Sequence, residues 1–261
     1  MALPMLALAQ SDEETVWRTF VNWLGATKPP SDNPAKLLQA FRASVIAKGT
    51  SGPEADRQLG IITRFMRTRS DGWRQIFNHI YAHARPGFST QPNALLLSTV
   101  EGRVPGRALD VGMGQGRNSV FLALKGWEVT GFDVSDTGLS AARQNASAAG
   151  VKVNAVLKSN EEFDYGTAQW DLIVITYEPF PVSDARYVLR LLGALRQGGL
   201  LVIESFASDR GAVPRRPVDI DPADLLRAML GFRILHFEDV VAVPDWDPAK
   251  TRLARLVAQK A

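Results

Sequence analysis

Two patterns of hydrophobic positions divide the chain. From Asp12 to about Tyr81, large apolar residues recur at the three- and four-residue spacing that is typical of helices. From Ala108 onward, short apolar runs alternate with amphipathic segments, as they do where strands alternate with helices. We therefore predict a helical N-terminal extension, residues 1–90, followed by an α/β domain, residues 91–261.

Breaks in the N-terminal pattern separate four predicted helices. Lys28-Pro29-Pro30 ends the first helix, and Asn33-Pro34 opens the second. Residues 49–53 form a break before the third helix, which runs from Glu54 to about Met66, and Ser70-Asp71 is a candidate cap for the fourth. The helices carry large apolar side chains that should not stay exposed: Trp17, Phe20, Phe41, Trp73 and Phe77. We therefore predict that the helices form a lid over the cofactor or a dimer surface. The alternative is that they pack only on each other.

The second part of the chain offers seven strands and four helices. The strand candidates cover residues 108–111, 128–132, 153–157, 170–176, 200–204, 233–238 and 252–257. Helices fit at residues 118–125, 136–149, 183–195 and 222–229. Near-continuous apolar strands with helical crossovers predict a doubly wound, mostly parallel sheet that is covered on both faces. The loop before the last strand contains Pro244 and Pro248 and has no room for a helix, so the last two strands should form an antiparallel hairpin.

The turn after the first strand carries the most informative motif. It places Gly112, Gly114 and Gly116 at alternate positions directly before a predicted helix. Glycines let the backbone turn sharply and approach a ligand, and the helix presents free N–H groups and the positive end of its dipole there. The next strand ends in Asp133, about 20 positions later, where a carboxylate can accept both hydroxyls of a ribose. The motif therefore predicts a nucleoside-binding site.

This glycine spacing resembles motif I of the class I S-adenosylmethionine-dependent methyltransferases. The chain has single residues between its glycines, whereas the Rossmann dehydrogenases have two residues before the third. The run from Gly112 to Ser119 is also similar to the tellurite-resistance-type branch, which typically has Cys where Met113 stands here. The resemblance covers about Pro92 to Ala261. It implies a seven-stranded Rossmann-like methyltransferase sheet, S-adenosylmethionine as cofactor and S-adenosylhomocysteine as product.

The resemblance also implies which residues bind the cofactor. Asp133 is assigned to the ribose hydroxyls, and Asp110 is expected to hold the glycine loop and to reach the methionine amino group through water. Asn160 and Glu161, after the third strand, are candidates for the adenine amine, with a solvated turn as the alternative. Asn118 is either the N-cap of the following helix or a ligand contact. The full set comprises Asp110, Gly112, Gly114, Gly116, Asn118, Asp133, Val134, Asn160, Glu161 and Thr176.

The fourth strand leads to two candidate catalytic residues, Tyr177 and Glu178. Tyr177 could shape the site or hydrogen-bond a substrate, Glu178 could act as a base or bind a cationic group, and packing or capping is equally open for each. The segment from Thr176 to Phe180 lacks the [Asn/Asp]-Pro-Pro-[Tyr/Phe] motif of enzymes that methylate nucleobase and glutamine amines. No pattern predicts a metal site, because the histidine pair on the last N-terminal helix, His79 and His83, lacks a third ligand.

Composition narrows the function further. The 261 residues are 46% hydrophobic and 22% charged, as in ordinary globular proteins, and no apolar run approaches the ~18 residues that cross a membrane. The absence of cysteine excludes disulfides and any methyl transfer through a cysteine adduct. The net charge of +3 comes partly from arginines of the N-terminal helices: Arg57, Arg64, Arg67, Arg69, Arg74 and Arg85. These residues do not form the dense patch of basic and aromatic residues that is typical of a nucleic-acid groove.

We therefore expect a methyltransferase for a small molecule, such as a thiol, a chalcogen oxyanion or another soft nucleophile. The alternatives are a protein that binds S-adenosylmethionine without turnover and an RNA or protein methyltransferase. We expect no nucleic-acid partner and no membrane span, and a homodimer is possible. Arg215 and Arg216 could attract an anionic substrate, with a solvated loop as the alternative. Met1–Gln10 lacks the basic region of a signal peptide, so we predict a cytoplasmic protein, or an exported one if this stretch is the tail of a longer signal.

Overall fold

The computed structural model describes residues 3–26, 34–69, 72–82, 88–179, 181–209, 211, 219–245 and 249–261. The chain divides into two compact units, Met1–Gly87 and Phe88–Ala261. No helix among these residues is long and apolar enough to cross a membrane.

The first unit is helical. Its helices are α1 (Leu3–Ala26), α2 (Pro34–Ala47), α3 (Gly52–Thr68) and α4 (Gly72–Tyr81). Helix α1 begins at Leu3, well before the predicted start at Asp12. Helix α3 is capped by the Ser51 hydroxyl, which accepts a hydrogen bond of 3.4 Å from the backbone N–H of Glu54. The predicted cap of α4, Ser70-Asp71, lies outside the described residues.

Aromatic side chains form the interior of this unit. Trp17, Phe20 and Phe41 are 3%, 0% and 1% exposed. The Phe20 ring centroid lies 5.3 Å from that of Phe41 and 5.8 Å from that of Trp17. The Trp17 ring centroid also lies 6.0 Å from that of Phe65 in α3, so packing of α1 against α2 and α3 contributes to the burial of these rings, which is the alternative that the sequence left open. A role of the helices as a lid or a dimer surface stays a prediction.

The second unit is an α/β domain with a seven-stranded sheet of order β3-β2-β1-β4-β5-β7-β6. Neighbouring strands are parallel except for β7, which is antiparallel to both β5 and β6. The predicted fold class and the C-terminal hairpin are confirmed. The elements in chain order are α5 (Ala94–Val100), β1 (Arg107–Val111), α6 (Arg117–Leu124), β2 (Glu128–Asp133), α7 (Asp136–Ala148), β3 (Asn154–Leu157), β4 (Trp170–Thr176), α8 (Ala185–Ala194), β5 (Leu195–Phe206), α9 (Pro222–Ala228), β6 (Phe232–Ala242) and β7 (Thr251–Lys260).

Helix α5 and the start of strand β5 differ most clearly from the sequence prediction, and strand β6 also ends later, at Ala242 rather than Glu238. Helix α5 was not predicted, because its seven residues are too few to display a helical period. Strand β5 begins at Leu195 rather than Leu200, since Leu195 pairs with Trp170 of β4 before a shift in register. Both features depend on contacts between segments that are distant in sequence.

Burial on both faces of the sheet explains the continuous apolar strands. In β4, Leu172 and Val174 belong to one buried cluster, whereas Ile173 and Ile175 belong to another. Parallel strands place their carboxyl ends at one edge of the sheet, and this edge is where α/β folds bind ligands. Three polar side chains lie at the ends of β2, β4 and β5 there: Asp133, Thr176 and Glu204.

Candidate functional site

The turn between β1 and α6 requires its glycines. Gly112, Gly114 and Gly116 have φ values of +65°, +51° and +80°, which side-chain-bearing residues rarely adopt. A Cβ atom at Gly112 would lie 2.4 Å from Oε2 of Glu178, and one at Gly116 would lie 2.9 Å from Cβ of Ala142. The turn is therefore both left-handed and closely packed. The N–H groups of Met113, Gly114 and Gly116 donate hydrogen bonds within the protein, to Phe132, Asp133 and Met113 respectively.

Asp133 ends β2 directly against this turn. Its Oδ2 accepts a hydrogen bond of 2.8 Å from the N–H of Gly114, and its Oδ1 accepts one of 2.7 Å from the N–H of Ser135. Burial raises the pKa of the carboxyl to about 6. These N–H donors, together with that of Val134, leave acceptor capacity on the carboxylate for a hydroxyl group of a ligand. Val134 follows Asp133 and is partly buried beside Ser135, the N-cap of α7.

Asp110 ties β1 to the first turn of α6. Its Oδ2 accepts a hydrogen bond of 2.6 Å from the Ser119 hydroxyl. Burial raises the pKa of Asp110 to about 6, and the nearby negative charge of Asp133 adds to this shift. The side chain therefore fixes β1 to α6, and its role in holding the glycine loop stays a prediction.

Asn118 links two elements of the site. Its Oδ1 accepts a hydrogen bond of 2.9 Å from the N–H of Asn93, and its Nδ2 donates one of 3.0 Å to Oγ1 of Thr176. The interpretation of Asn118 as the N-cap of α6 is wrong, because the left-handed Gly116 holds that position. Asn118 instead fixes the end of β4 to the helix that follows the glycine turn.

The two candidates for binding the adenine amine, Asn160 and Glu161, lie in different surroundings in the loop after β3. The Tyr165 hydroxyl donates to Oδ1 of Asn160 and lies 3.1 Å from the Tyr187 hydroxyl. Nη2 of Arg190 donates a hydrogen bond of 3.0 Å to the Asn160 backbone carbonyl. The Asn160 side chain thus has a partner within the chain, whereas Glu161 is exposed. This arrangement favours Glu161 over Asn160 as the acceptor for the amine.

Tyr177 and Glu178 are adjacent in sequence but differ in their surroundings. Tyr177 is buried, its φ is +57°, and its hydroxyl donates to the Glu204 carboxylate and accepts a hydrogen bond of 3.3 Å from the N–H of Asp245. Its ring centroid lies 5.1 Å from that of Phe206. Burial and the negative charge of Glu204 raise the pKa of the tyrosine far above its usual value. The Tyr177 hydroxyl is therefore engaged within the protein.

The Glu178 carboxyl lies against the backbone of Gly112. Burial raises the pKa of Glu178 well above its usual value, and the negative charges of Asp133 and Glu161 raise it further. Of the two catalytic candidates, only Glu178 therefore has its functional group at the glycine turn.

A buried polar network surrounds Glu204, which is 1% exposed, and this network was not predicted from the sequence. Its carboxylate accepts hydrogen bonds from Nδ2 of Asn93 at 3.0 Å and from Nε of Arg255 at 2.7 Å. Asn93 also donates to Asp245 at 2.9 Å, and Asp245 forms an ion pair of 2.7 Å with Arg117. An acidic residue at the end of an apolar strand was a visible signal for Glu204. No local signal exists for Asp245, which is distant in sequence.

Some expected features cannot be placed. His83, Arg215 and Arg216 lie outside the described residues. In the part of the chain that the structure describes, no group of three or more His, Cys, Asp or Glu side chains could hold a metal ion.

Comparison with known proteins identifies the second unit. Residues 108–199, which include the glycine turn, Asp133 and the Glu178 segment, match the methyltransferase domain family. The chain carries a class I methyltransferase domain. S-adenosylmethionine is the cofactor of this family.

Two curated relatives match part of the chain. The chain is 36% identical over 76 residues to the ribosomal RNA small subunit methyltransferase C of Alcanivorax borkumensis. This match covers 28% of the chain and 22% of the relative. The chain is 32% identical over 120 residues to the ubiquinone biosynthesis O-methyltransferase of Marinobacter nauticus. This match covers 43% of the chain and 50% of the relative. The matches thus span half or less of either curated relative.

A solved structure shares the fold. The structure of TehB from Haemophilus influenzae matches with a TM-score of 0.57 and 18% identity, and the match covers 74% of this chain and 67% of that chain. At this level of identity, the similarity concerns the fold alone.

The residues at the turn fit S-adenosylmethionine in their chemistry. The cofactor has a positive sulfonium and an ammonium group, and acidic side chains at the turn supply the opposite charge. Its ribose hydroxyls suit a buried carboxylate with free lone pairs, as Asp133 has. A close approach to the turn requires a backbone without Cβ atoms, which the left-handed Gly112 and Gly114 provide.

Proposed function

We propose that the protein transfers a methyl group from S-adenosylmethionine to a small molecule. The observation that carries this proposal is the convergence of two acidic side chains on the glycine turn. Asp133 binds the N–H of Gly114, and Glu178 lies against Gly112. A cationic nucleoside is the ligand that such a turn suits best.

Methyl transfer requires little of the protein beyond correct positioning of the acceptor. Bound S-adenosylmethionine supplies a methyl group that is already strongly electrophilic. The chain has to hold the acceptor in line with that group and keep water out. A thiolate or an oxyanion needs no general base, whereas an alcohol or an amine benefits from one. Glu178 is the carboxyl at the glycine turn that could take such a proton.

The charges of the N-terminal unit support a small acceptor rather than a nucleic acid. Three of the six arginines that form the local basic excess are paired with acidic residues of the same unit: Arg57 with Asp12 and Glu54, Arg64 with Glu13, and Arg69 with Glu14. Nucleic-acid binding depends on basic side chains that are available to phosphates. The missing amine-methylating motif after β4 supports the same conclusion.

We expect the acceptor to be a soft nucleophile, that is, a thiol or a chalcogen oxyanion. The test is a methylation assay with the full chain and labelled S-adenosylmethionine. Thiols, selenite, tellurite, phenols and tRNA are offered separately, with S-adenosylhomocysteine as the competing inhibitor. Methylation of a thiol or an oxyanion that survives nuclease treatment supports the proposal.

The other outcomes of this assay lead to different functions. Methylation of tRNA or protein without any small acceptor would establish the macromolecular alternative. Tight binding of S-adenosylmethionine with no product from any acceptor would favour a protein that binds the cofactor without turnover. A methylated phenol would keep the small-molecule function and move the acceptor from sulfur or selenium to oxygen.

A further inference from the structure

We infer that Glu178 pairs with the positive charge of S-adenosylmethionine, and that it makes the site prefer the cofactor to its product. The inference rests on the proposed function, because it concerns the same site. It goes further by naming the side chain that distinguishes a charged sulfonium from the uncharged sulfur of S-adenosylhomocysteine.

The position of Glu178 is the first argument. Its Oε2, Cδ and Cβ atoms lie 2.4, 2.8 and 3.0 Å from the point that a Cβ atom of Gly112 would occupy. The side chain thus covers the face of the glycine turn from which a Cβ atom is missing. A ligand that approaches this face meets the Glu178 carboxyl before it meets the backbone.

The charges around Glu178 are the second argument. Asp133 at the end of β2 and Glu161 after β3 both act on it with negative charge. Tyr165 and Tyr187, from the following loop and from α8, also feel the Glu178 charge. Asp133 and Glu161 disfavour a further negative charge at Glu178, and the Glu178 charge in turn adds to the effect of burial in raising the pKa of both tyrosines. A cation that enters the site reverses this balance, since it stabilises the ionised carboxyl.

Binding of the cofactor should therefore be coupled to the release of a proton from Glu178. Burial and the negative charges of Asp133 and Glu161 raise the pKa of Glu178 well above its usual value, so the carboxyl holds a proton more readily in the free protein than in solvent. Binding of a sulfonium lowers this pKa, and the carboxyl then releases its proton to solvent. S-adenosylhomocysteine lacks the sulfonium charge and should release fewer protons. After methyl transfer the attraction is weakened, which favours release of the product.

The backbone supports this placement of the carboxyl. The preceding residue, Tyr177, has φ of +57°, and its hydroxyl is bound to the buried Glu204. This anchor fixes the direction in which the chain leaves β4. Tyr177 is therefore a positioning residue for Glu178.

The experiment is titration calorimetry of the full chain with S-adenosylmethionine and S-adenosylhomocysteine. Measurements in two buffers with different protonation enthalpies give the number of protons released. The variant is Glu178→Gln, a neutral isostere of the protonated side chain, which should therefore fold. The control is Glu128→Gln, which removes the same charge from an exposed position at the other end of β2.

We expect Glu178→Gln to reduce the preference for S-adenosylmethionine over S-adenosylhomocysteine by about 10-fold or more, as for loss of one charge-assisted contact. The additional proton that the wild type releases with S-adenosylmethionine should disappear in this variant. The Glu128→Gln control should retain both the preference and the proton release.

Other results would overturn the inference. If Glu178→Gln keeps the wild-type preference and the wild-type proton count, the protons come from another carboxyl such as Asp133, and the inference fails. If the variant does not fold, the measurement on the wild type alone tests the inference. Equal proton release with S-adenosylmethionine and S-adenosylhomocysteine would then refute the inference. If the wild type binds neither ligand, the proposed function itself fails.

Discussion

The hydroxyl of Tyr177 donates a hydrogen bond to the carboxylate of Glu204, and this contact joins the end of β4 to the end of β5. Tyr177 holds a left-handed backbone conformation that is unfavourable for a residue with a side chain. Its partner Glu204 is buried and also binds Asn93 and Arg255. The surrounding polar network therefore maintains the strained residue, and the next residue along the chain is Glu178.

Tyr177→Phe should destabilise the protein through this network. The substitution removes one donor from the buried Glu204 carboxylate, and we expect the free energy of unfolding to fall by about 1–3 kcal/mol. Asn93→Ala removes another donor from the same carboxylate. Urea denaturation followed by circular dichroism should show that the two effects are not additive, because the residues share one partner. Strictly additive losses would argue that Tyr177 and Asn93 act independently.

Asp133→Ala should weaken the binding of S-adenosylmethionine. The change removes charged hydrogen bonds to the ribose hydroxyls and releases the N–H of Gly114, so we expect a loss of about 1–3 kcal/mol in binding free energy. Calorimetric titration measures this loss, and Glu128→Gln at the far end of the same strand serves as the control. An affinity equal to that of the wild type would remove Asp133 from the cofactor site.

Two glycine-to-alanine substitutions should have opposite effects on stability. At Gly116, φ is +80° and a new Cβ atom would lie 2.9 Å from that of Ala142, so we expect a loss of about 1–3 kcal/mol. At Gly193, inside α8, a Cβ atom meets nothing within 4 Å, so alanine should stabilise by roughly 0.5–1 kcal/mol. Thermal and urea denaturation check both changes. A neutral Gly116→Ala would contradict the tight turn.

The stability of the ligand-free protein should increase as the pH falls from about 7 to about 5. The pKa values of Asp110 and Asp133 are raised to about 6, whereas unfolded Asp has a pKa of about 3.9. The folded state therefore binds more protons in this range. The stabilisation is complete below about pH 4 and is lost as the pH rises through about 6. Melting temperatures measured across this range should show the trend, and Asp133→Asn should flatten it.

The N-terminal unit can be tested with two shortened chains. Removing residues 1–70 leaves α4 without its neighbours α1 and α3, which exposes Ile76 and Ile80. We expect this chain to be insoluble or inactive. A chain of residues 88–261 lacks α4 as well and should stay soluble, because the second unit has its own core. Full activity of the 88–261 chain would rule out a necessary lid or dimer surface in the first unit.

The candidate site could be predicted from sequence only where its residues are close together along the chain. The glycine turn, Asp110 and the start of α6 lie within one short stretch, and Asp133 follows at the end of the next strand. Asn160 and Tyr177 were also singled out, but their side chains turn toward Tyr165 and Glu204 within the protein. No local pattern records which of two adjacent polar residues a fold directs inward.

The sequence by itself determined the alternation of strands and helices from β1 to β7, the parallel sheet with its antiparallel C-terminal hairpin, and the glycine turn. These features follow from periodicity and from backbone restrictions, which act over a few residues. Only the tertiary structure decided that Glu178 covers Gly112 and that Asn93, Glu204 and Asp245 form one buried network. The reason is physical, since burial, charge coupling and hydrogen bonding depend on distances between atoms that the folded chain alone brings together.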